Sequence, residues 1–226
     1  MSFIIGIDGP AGSGKGTVTK KIANKLGLIN IDTGSTYRCV ALEVLNKNVS
    51  LEDKEKIIEI AKNIDIKIEP NSNVDKVYLN GEDVSKKIRS KEVTQIVSPI
   101  SSINEVRFAM VDLQRKMAEG KNVIMEGRDI CTYVFPNADV KIYLDASAEE
   151  RAKRRYKENQ EKGIQMTYEE VYENIKKRDQ IDKTKEIGAL KKAKDSIIID
   201  TTSLTIDEVV ERIIEIILRR KQQWRT

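Results

Sequence analysis

Short apolar runs alternate along this chain with longer amphipathic segments. Phe3 to Ile7 meets a glycine-rich turn, after which Val18, Ile22, Ala23 and Leu26 repeat at helical spacing. Similar runs recur at Leu28 to Ile31, Val123 to Met125, Val140 to Leu144 and Ser196 to Ile199, each followed by a segment long enough for a helix. Five buried strands alternating with helices predict an α/β fold whose parallel sheet is covered on both faces. Between them Ile64, Ile66 and Ile68 alternate with charged residues, and Val77, Tyr78 and Leu79 precede a turn at Asn80-Gly81. This pattern predicts a small antiparallel insert.

Ser147 to Gly163 reads as a helix with Arg151, Arg154 and Arg155 on one face, ended by the glycine. A second helix from Thr167 to about Lys185 opens with a Thr-Tyr-Glu-Glu capping box, so the pair predicts a helical hairpin. The expected organisation is a core of residues 1–63 and 104–226, with the hairpin at about 155–185 as a lid inside it, and an insert at 64–103. The Arg219-Arg220-Lys221 run, with Trp224 and Arg225, reads as a solvated helix end.

Composition narrows the chemistry. With 40 Lys+Arg, 36 Asp+Glu and 39% hydrophobic residues in 226, the chain is neither membrane-embedded nor disordered. The net charge of +4 is spread along the chain, so a small anionic ligand is expected rather than nucleic acid. There is no histidine, which excludes Ser-His-Asp and Cys-His catalysis, while chemistry by positioning and charge stabilisation survives. Cys39 and Cys131 stand apart as expected structural thiols. The opening residues lack a basic region and a long apolar run, so a cytoplasmic monomer with no membrane contact is the expectation.

Gly9-Pro10-Ala11-Gly12-Ser13-Gly14-Lys15-Gly16-Thr17 matches GxxxxGK after a predicted strand and before a predicted helix. Its backbone N–H groups and the helix dipole suit phosphate oxygens, and Lys15 adds a cation that follows charge onto a transferring phosphoryl group. Gly16 stands where the loop usually has Ser or Thr, and the hydroxyl comes one residue later at Thr17. A regulatory GTPase is excluded, because Asn46-Lys47 is followed by Asn48-Val49 and not by x-Asp.

The Gly-Lys-Gly-Thr form looks like that of nucleoside monophosphate kinases. Further strings resemble the bacterial cytidylate kinase family: Asp32-Thr33-Gly34-Ser35-Thr36-Tyr37-Arg38, Glu126-Gly127-Arg128-Asp129, Val134-Phe135-Pro136 and Ile199-Asp200-Thr201-Thr202. The family's monophosphate-binding insert is matched by Leu79 to Ser85, continuing through Ile88-Arg89 to Val97-Ser98. The resemblance implies a P-loop kinase core with a helical-hairpin lid that transfers the terminal phosphoryl group of ATP, carried with Mg2+, to CMP or dCMP.

It also implies roles. Gly9 to Thr17 would hold ATP together with Arg155, and Lys15, Arg128, Arg154 and Arg178 would be catalytic. Arg38 and Arg128 match phosphate-binding positions, where guanidinium forks grip oxygens bidentately. Ser98, Arg107 and Asp129 match the base-reading positions, and a carboxylate facing N4 would favour cytosine over uracil. On local sequence alone Ser98, beside Pro99, is equally a helix cap. Thr33 would contact the acceptor phosphate or position its loop, Asp182 would contact the ribose, and Thr17 and Glu126 would meet magnesium through water.

Several positions depart from the family pattern: Glu126 for Asp, Cys131 for Gly, Ile181 and Lys185 for Arg, and Ala189 for Pro. Lys185 is either a phosphate-gathering cation or a solvated charge. The changes at Ile181, Lys185 and Ala189 also admit a nucleotide-binding regulatory protein, or a kinase for another acceptor such as UMP.

Overall fold

The computed structural model describes residues 2–71, 75–161 and 163–223; Trp224 and Arg225 lie outside them. In chain order the core elements begin with β1 (Ile4–Asp8), α1 (Lys15–Leu26), β2 (Ile29–Asp32) and α2 (Thr33–Asn46). Next come α3 (Lys54–Asn63), β3 (Ile66–Glu69), β4 (Lys76–Leu79), β5 (Glu82–Asp83), α4 (Lys91–Ile100) and α5 (Asn104–Ala118). The chain returns through β6 (Val123–Gly127), β7 (Val140–Asp145), α6 (Ala148–Glu161), α7 (Tyr168–Thr184), β8 (Ile197–Asp200) and α8 (Ile206–Gln223).

The main sheet is parallel throughout, in the order β2-β6-β1-β7-β8, and all five expected strands are present. Alternation on the central strands divides their side chains between two cores. Ile5, Ile7, Ile124, Ile142 and Leu144 pack under α1 and α8. Val123 and Met125 face the other way, onto Val111 and Ala118 of α5 and onto Cys131. Cys131 fits there because Gly6 has no side chain: a Cβ at Gly6 would lie 2.7 Å from its sulfur.

The insert forms as the pattern predicts. β3, β4 and β5 make an antiparallel sheet, and the two-residue turn has positive φ at both Asn80 (50°) and Gly81 (86°). Few residues other than Asn and Gly adopt such a turn readily. Its inner face joins α2, α3, α4 and α5 in a third core containing Ile57, Leu79, Ile88 and Val97. The expected helical hairpin is α6 and α7, and Thr167 and Glu170 make the reciprocal capping box at the start of α7.

The β1 connection passes over β6 to reach β2, and the β6 connection passes over β1 to reach β7. Chain directions therefore diverge at the carboxyl ends of these central strands, where open parallel sheets bind ligands. The central strand interiors carry the stability. Ile142→Ala, at a fully buried site, should lower unfolding free energy by about 2–5 kcal/mol. Leu218→Ala, at a side chain 46% exposed on α8, should change it by less than about 0.5 kcal/mol in the same denaturant titration.

Candidate active site

β1 ends at Asp8, and Gly9 then passes so close to the Leu144 carbonyl that any Cβ would collide with it. The loop closes at Gly14, left-handed at φ 86°, which leads into α1. No acidic side chain occupies the first turn of α1, so its N–H groups and positive dipole end face the loop. Lys15 is buried, and its ammonium donates to the carbonyls of Gly9 and Pro10 at 2.8 Å each and to Ser13 Oγ at 3.3 Å. Burial, with Arg128 next, moves its pKa well below the ordinary lysine value, while Glu126 and Asp8 oppose that shift.

Glu126, one residue before the end of β6, is in register with Asp32 of β2. Its carboxylate lies over the loop helix: a Cβ on Gly16 would be 3.0 Å from Glu126 Oε1. The missing Ser or Thr side chain at position 16 thus leaves room for a carboxylate from the neighbouring strand. Burial and the Asp32 charge push the Glu126 carboxyl above the usual range. Thr17 is exposed on the same turn. Among the described residues no group of three or more Asp, Glu, Cys or His side chains is arranged to hold a metal by itself. Carboxylates beside a phosphate loop fit magnesium that arrives on a nucleotide and keeps most of its waters.

Thr33 starts α2 and donates its hydroxyl to the Glu126 carbonyl at 2.7 Å, so it ties the end of β2 to β6. Arg38, one turn further, donates through Nη1 to the Ile88 carbonyl (3.1 Å) and Thr94 Oγ1 (2.9 Å) on the insert side. Arg128 donates through Nε to Asp182 at 2.9 Å. Arg178 on α7 keeps a buried Nε with no hydrogen-bond partner among the described groups. Burial lowers the Arg38 pKa to about 10, with Arg89, Arg155 and Arg128 adding to the shift against Asp32. Burial, then Arg128, lowers that of Arg178 to about 9, and Arg38 and Arg155 contribute. These like charges are therefore mutual neighbours.

Asp182 is the counter-charge within this group. It accepts from Arg128 and, at 2.8 Å, from Lys185, and despite its burial these cations and Arg178 hold its carboxyl well below the ordinary range. Lys185 is no solvated charge: its side chain is 5% exposed and also donates to Ser101 Oγ at 3.0 Å. Arg107 and Asp129 form a buried ion pair next to Lys185, and the Arg107 guanidinium lies 5.4 Å from the centre of the Tyr37 ring. Ser98 is an interior residue of α4, not a cap. Pro99 sits within that helix beside it, and the Ser98 carbonyl accepts from Ser101 and Ser102.

The three arginines of α6 separate. Arg155 is partly exposed, pairs with Glu158 at 2.9 Å and joins the field of Arg38 and Arg178. Arg154 is directed at the end of β8, donating to the Thr201 carbonyl at 2.6 Å and its hydroxyl at 3.1 Å. Arg151 is buried against the phosphate loop.

Sequence reasoning missed two further positions. Asp8 takes the N–H groups of Ile130 and Cys131 on its two oxygens, at 2.8 Å each, and so fixes the chain just after Arg128-Asp129. Gly188, at φ 64°, touches the Arg107–Asp129 pair so closely that a Cβ would collide with both. Asp8 was visible only as a polar end to an apolar strand, and nothing local marks Gly188.

The family model for cytidylate kinase matches residues 5–219. A cytidylate kinase of Caldanaerobacter subterraneus subsp. tengcongensis is 53% identical over 96% of this chain and 95% of its own. The cytidylate kinase of Bacillus subtilis is 46% identical over 96% of this chain and 97% of its own. Among solved structures, an uncharacterised protein from Eubacterium ventriosum shares the fold with a TM-score of 0.52 at 16% identity, covering 96% of this chain and 98% of that one. With a match over nearly its whole length and relatives at this identity, the chain belongs to the cytidylate kinase family.

Proposed function

We propose that this protein transfers the terminal phosphoryl group of ATP to CMP and dCMP. The observation that carries the reading is a linked row of groups: β1, which feeds the phosphate loop, pairs with β6, which feeds Arg128, and bonds run on from Arg128 through Asp182, Lys185 and Ser101 to the Arg107–Asp129 pair. The row matches a donor triphosphate, an acceptor phosphate and a base laid end to end.

The N–H groups of Gly9 to Thr17 and the dipole of α1 hold the β- and γ-phosphates, and Lys15 exchanges its loop carbonyls for their oxygens. Arg38 and Arg128 grip the acceptor phosphate. Arg128 stands just beyond β6, beside the strand that feeds the phosphate loop, and its charge acts on both Lys15 and Arg178, so it serves donor and acceptor together as charge spreads over the transferring group. Arg178 and Arg155 bring charge from the lid, and Arg154 does so only on leaving Thr201. The acceptor oxygen is already anionic, so no strong general base is needed. Magnesium, when bound, neutralises charge between the ATP phosphates, and Glu126 and Thr17 would hold its waters.

At the far end Asp129 accepts from the cytosine N4 amino group, while Ser98 and Arg107 supply donors toward N3 and O2. Uracil would set its O4 against a carboxylate, two acceptors facing each other. Asp182 keeps free lone pairs beyond its bonds to Arg128 and Lys185, enough to accept from a ribose hydroxyl.

Assayed by ADP release with MgATP, CMP and dCMP should exceed UMP, and AMP and GMP should be negligible. Asp129→Asn should lower kcat/KM for CMP by about 10- to 100-fold and for UMP by less, since an amide can donate toward O4. Equal specificity for CMP and AMP in the parent, or equal losses in the variant, would contradict base reading by Asp129.

Lys15→Ala should lower kcat by at least about 100-fold, a loss of roughly 3 kcal/mol or more of transition-state stabilisation, with the thermal midpoint little changed. Turnover within tenfold of the parent would contradict the role assigned to the loop.

A further inference from the structure

Arg151 stands apart from the phosphate-binding arginines because the protein itself occupies its guanidinium. Nη1 donates to the Ala11 carbonyl at 2.9 Å, Nε donates to the Ala146 carbonyl at 3.0 Å, and Nη2 pairs with Asp179 Oδ2 at 2.7 Å. These acceptors belong to three pieces of the machine: the phosphate loop, the end of β7 and the returning lid helix α7. Both side chains of the pair are nearly dry, at 6% and 10% exposure, and Asp179 Oδ1 has no hydrogen-bond partner among the described groups. The carboxylate therefore leans on Arg151. The helix backbone adds to the contact, since a Cβ on Gly12 would lie 3.2 Å from both Arg151 Cβ and the Arg151 carbonyl oxygen.

The bond to Ala11 fixes more than a carbonyl. In a trans peptide unit the C=O and the following N–H point in opposite directions. A guanidinium that holds the Ala11 carbonyl outward thus aims the Gly12 N–H inward, to the side where the phosphate loop receives oxygens. A loop with Gly at positions 9, 12 and 14 has little stiffness of its own, so an external clamp is what pre-forms it.

We infer that Arg151 is a positioning residue that presets the phosphate loop for the donor nucleotide and, through Asp179, ties that setting to the lid. The inference rests on the phosphate-loop reading above and concerns the donor side alone. A residue that merely holds the fold together would affect both nucleotides alike, whereas this one should discriminate between them.

The test is calorimetric titration of ADP and, separately, of CMP into the parent chain and into Arg151→Met, Arg151→Lys and Asp179→Asn, with thermal unfolding of each. Arg151→Met should weaken ADP at least tenfold and leave CMP within threefold. Arg151→Lys, whose single ammonium cannot serve three acceptors, should show the same selectivity at smaller size, and it decides the matter if the methionine variant does not fold. Asp179→Asn keeps the Ala11 bond, so ADP affinity should stay within threefold while kcat falls. Equal weakening of ADP and CMP, or unchanged ADP affinity in a folded Arg151 variant, would overturn the inference. So would an Asp179→Asn variant that loses ADP as strongly as Arg151→Met. A parent chain that bound no ADP would instead overturn the phosphate-loop reading itself.

Discussion

Arg128 and Arg178 are buried within each other's field, and Asp182, bonded to Arg128, is the counter-charge that allows them to stand there. Like charges brought out of water repel strongly, and one buried carboxylate accepting from Arg128 and Lys185 offsets only part of that repulsion. On the proposed function, a dianionic acceptor phosphate would complete that balance. The same carboxylate orders the neighbouring site, because Lys185 reaches from Asp182 to Ser101 and lies beside the Arg107–Asp129 pair. Lys185 thus makes a buried tie between Asp182 of α7 and Ser101, whose carbonyl also accepts from Arg107.

The sheet keeps these parts in register. The phosphate loop follows β1, Thr33 follows β2 and Arg128-Asp129 follows β6, and bonds between these strand ends lock them together: Thr33 to the Glu126 carbonyl, and Asp8 to the N–H groups after Asp129. Asp8 is nearly dry, and burial raises its pKa to about 6 against the two backbone bonds that favour the charge. It immediately precedes the phosphate loop, so one side chain links that loop to the segment just after Arg128-Asp129. Preorganisation of this kind lets fixed charges act on a transferring phosphoryl group without reorganising during the reaction.

Much of this was legible in the chain. Isoleucine- and valine-rich runs bounded by turns predict five buried strands, Asn80-Gly81 predicts the hairpin, and the Thr167 capping box marks the start of the second lid helix. The phosphate loop, Arg38, Arg128 and Asp129 stand out by motif, whereas Arg107 is reached only through the family resemblance. Side-chain partners are harder, because spacing fixes a helical face but not what lies opposite it. Arg151, Arg154 and Arg155 share a face by spacing, yet the fold directs one to the phosphate loop, one to the end of β8 and one to Glu158 on its own helix. Lys185 and Ser98 admit two readings each on local sequence, and only the tertiary neighbours select between them. Gly188 depends on contacts with Arg107 and Asp129 that are distant in sequence, so no local pattern reveals it.

On the proposed function, the acceptor's phosphate, gripped by a desolvated arginine group, is the main source of its binding, and the base supplies choice. Calorimetric titration of CMP against cytidine tests this directly, since the two ligands differ only by the phosphate. Two or more charge-assisted hydrogen bonds correspond to a cytidine affinity at least about 100-fold weaker than that of CMP, the result predicted here. Cytidine binding within a few-fold of CMP would contradict it and make the Arg107–Asp129 pocket, not the arginine group, the anchor of the acceptor.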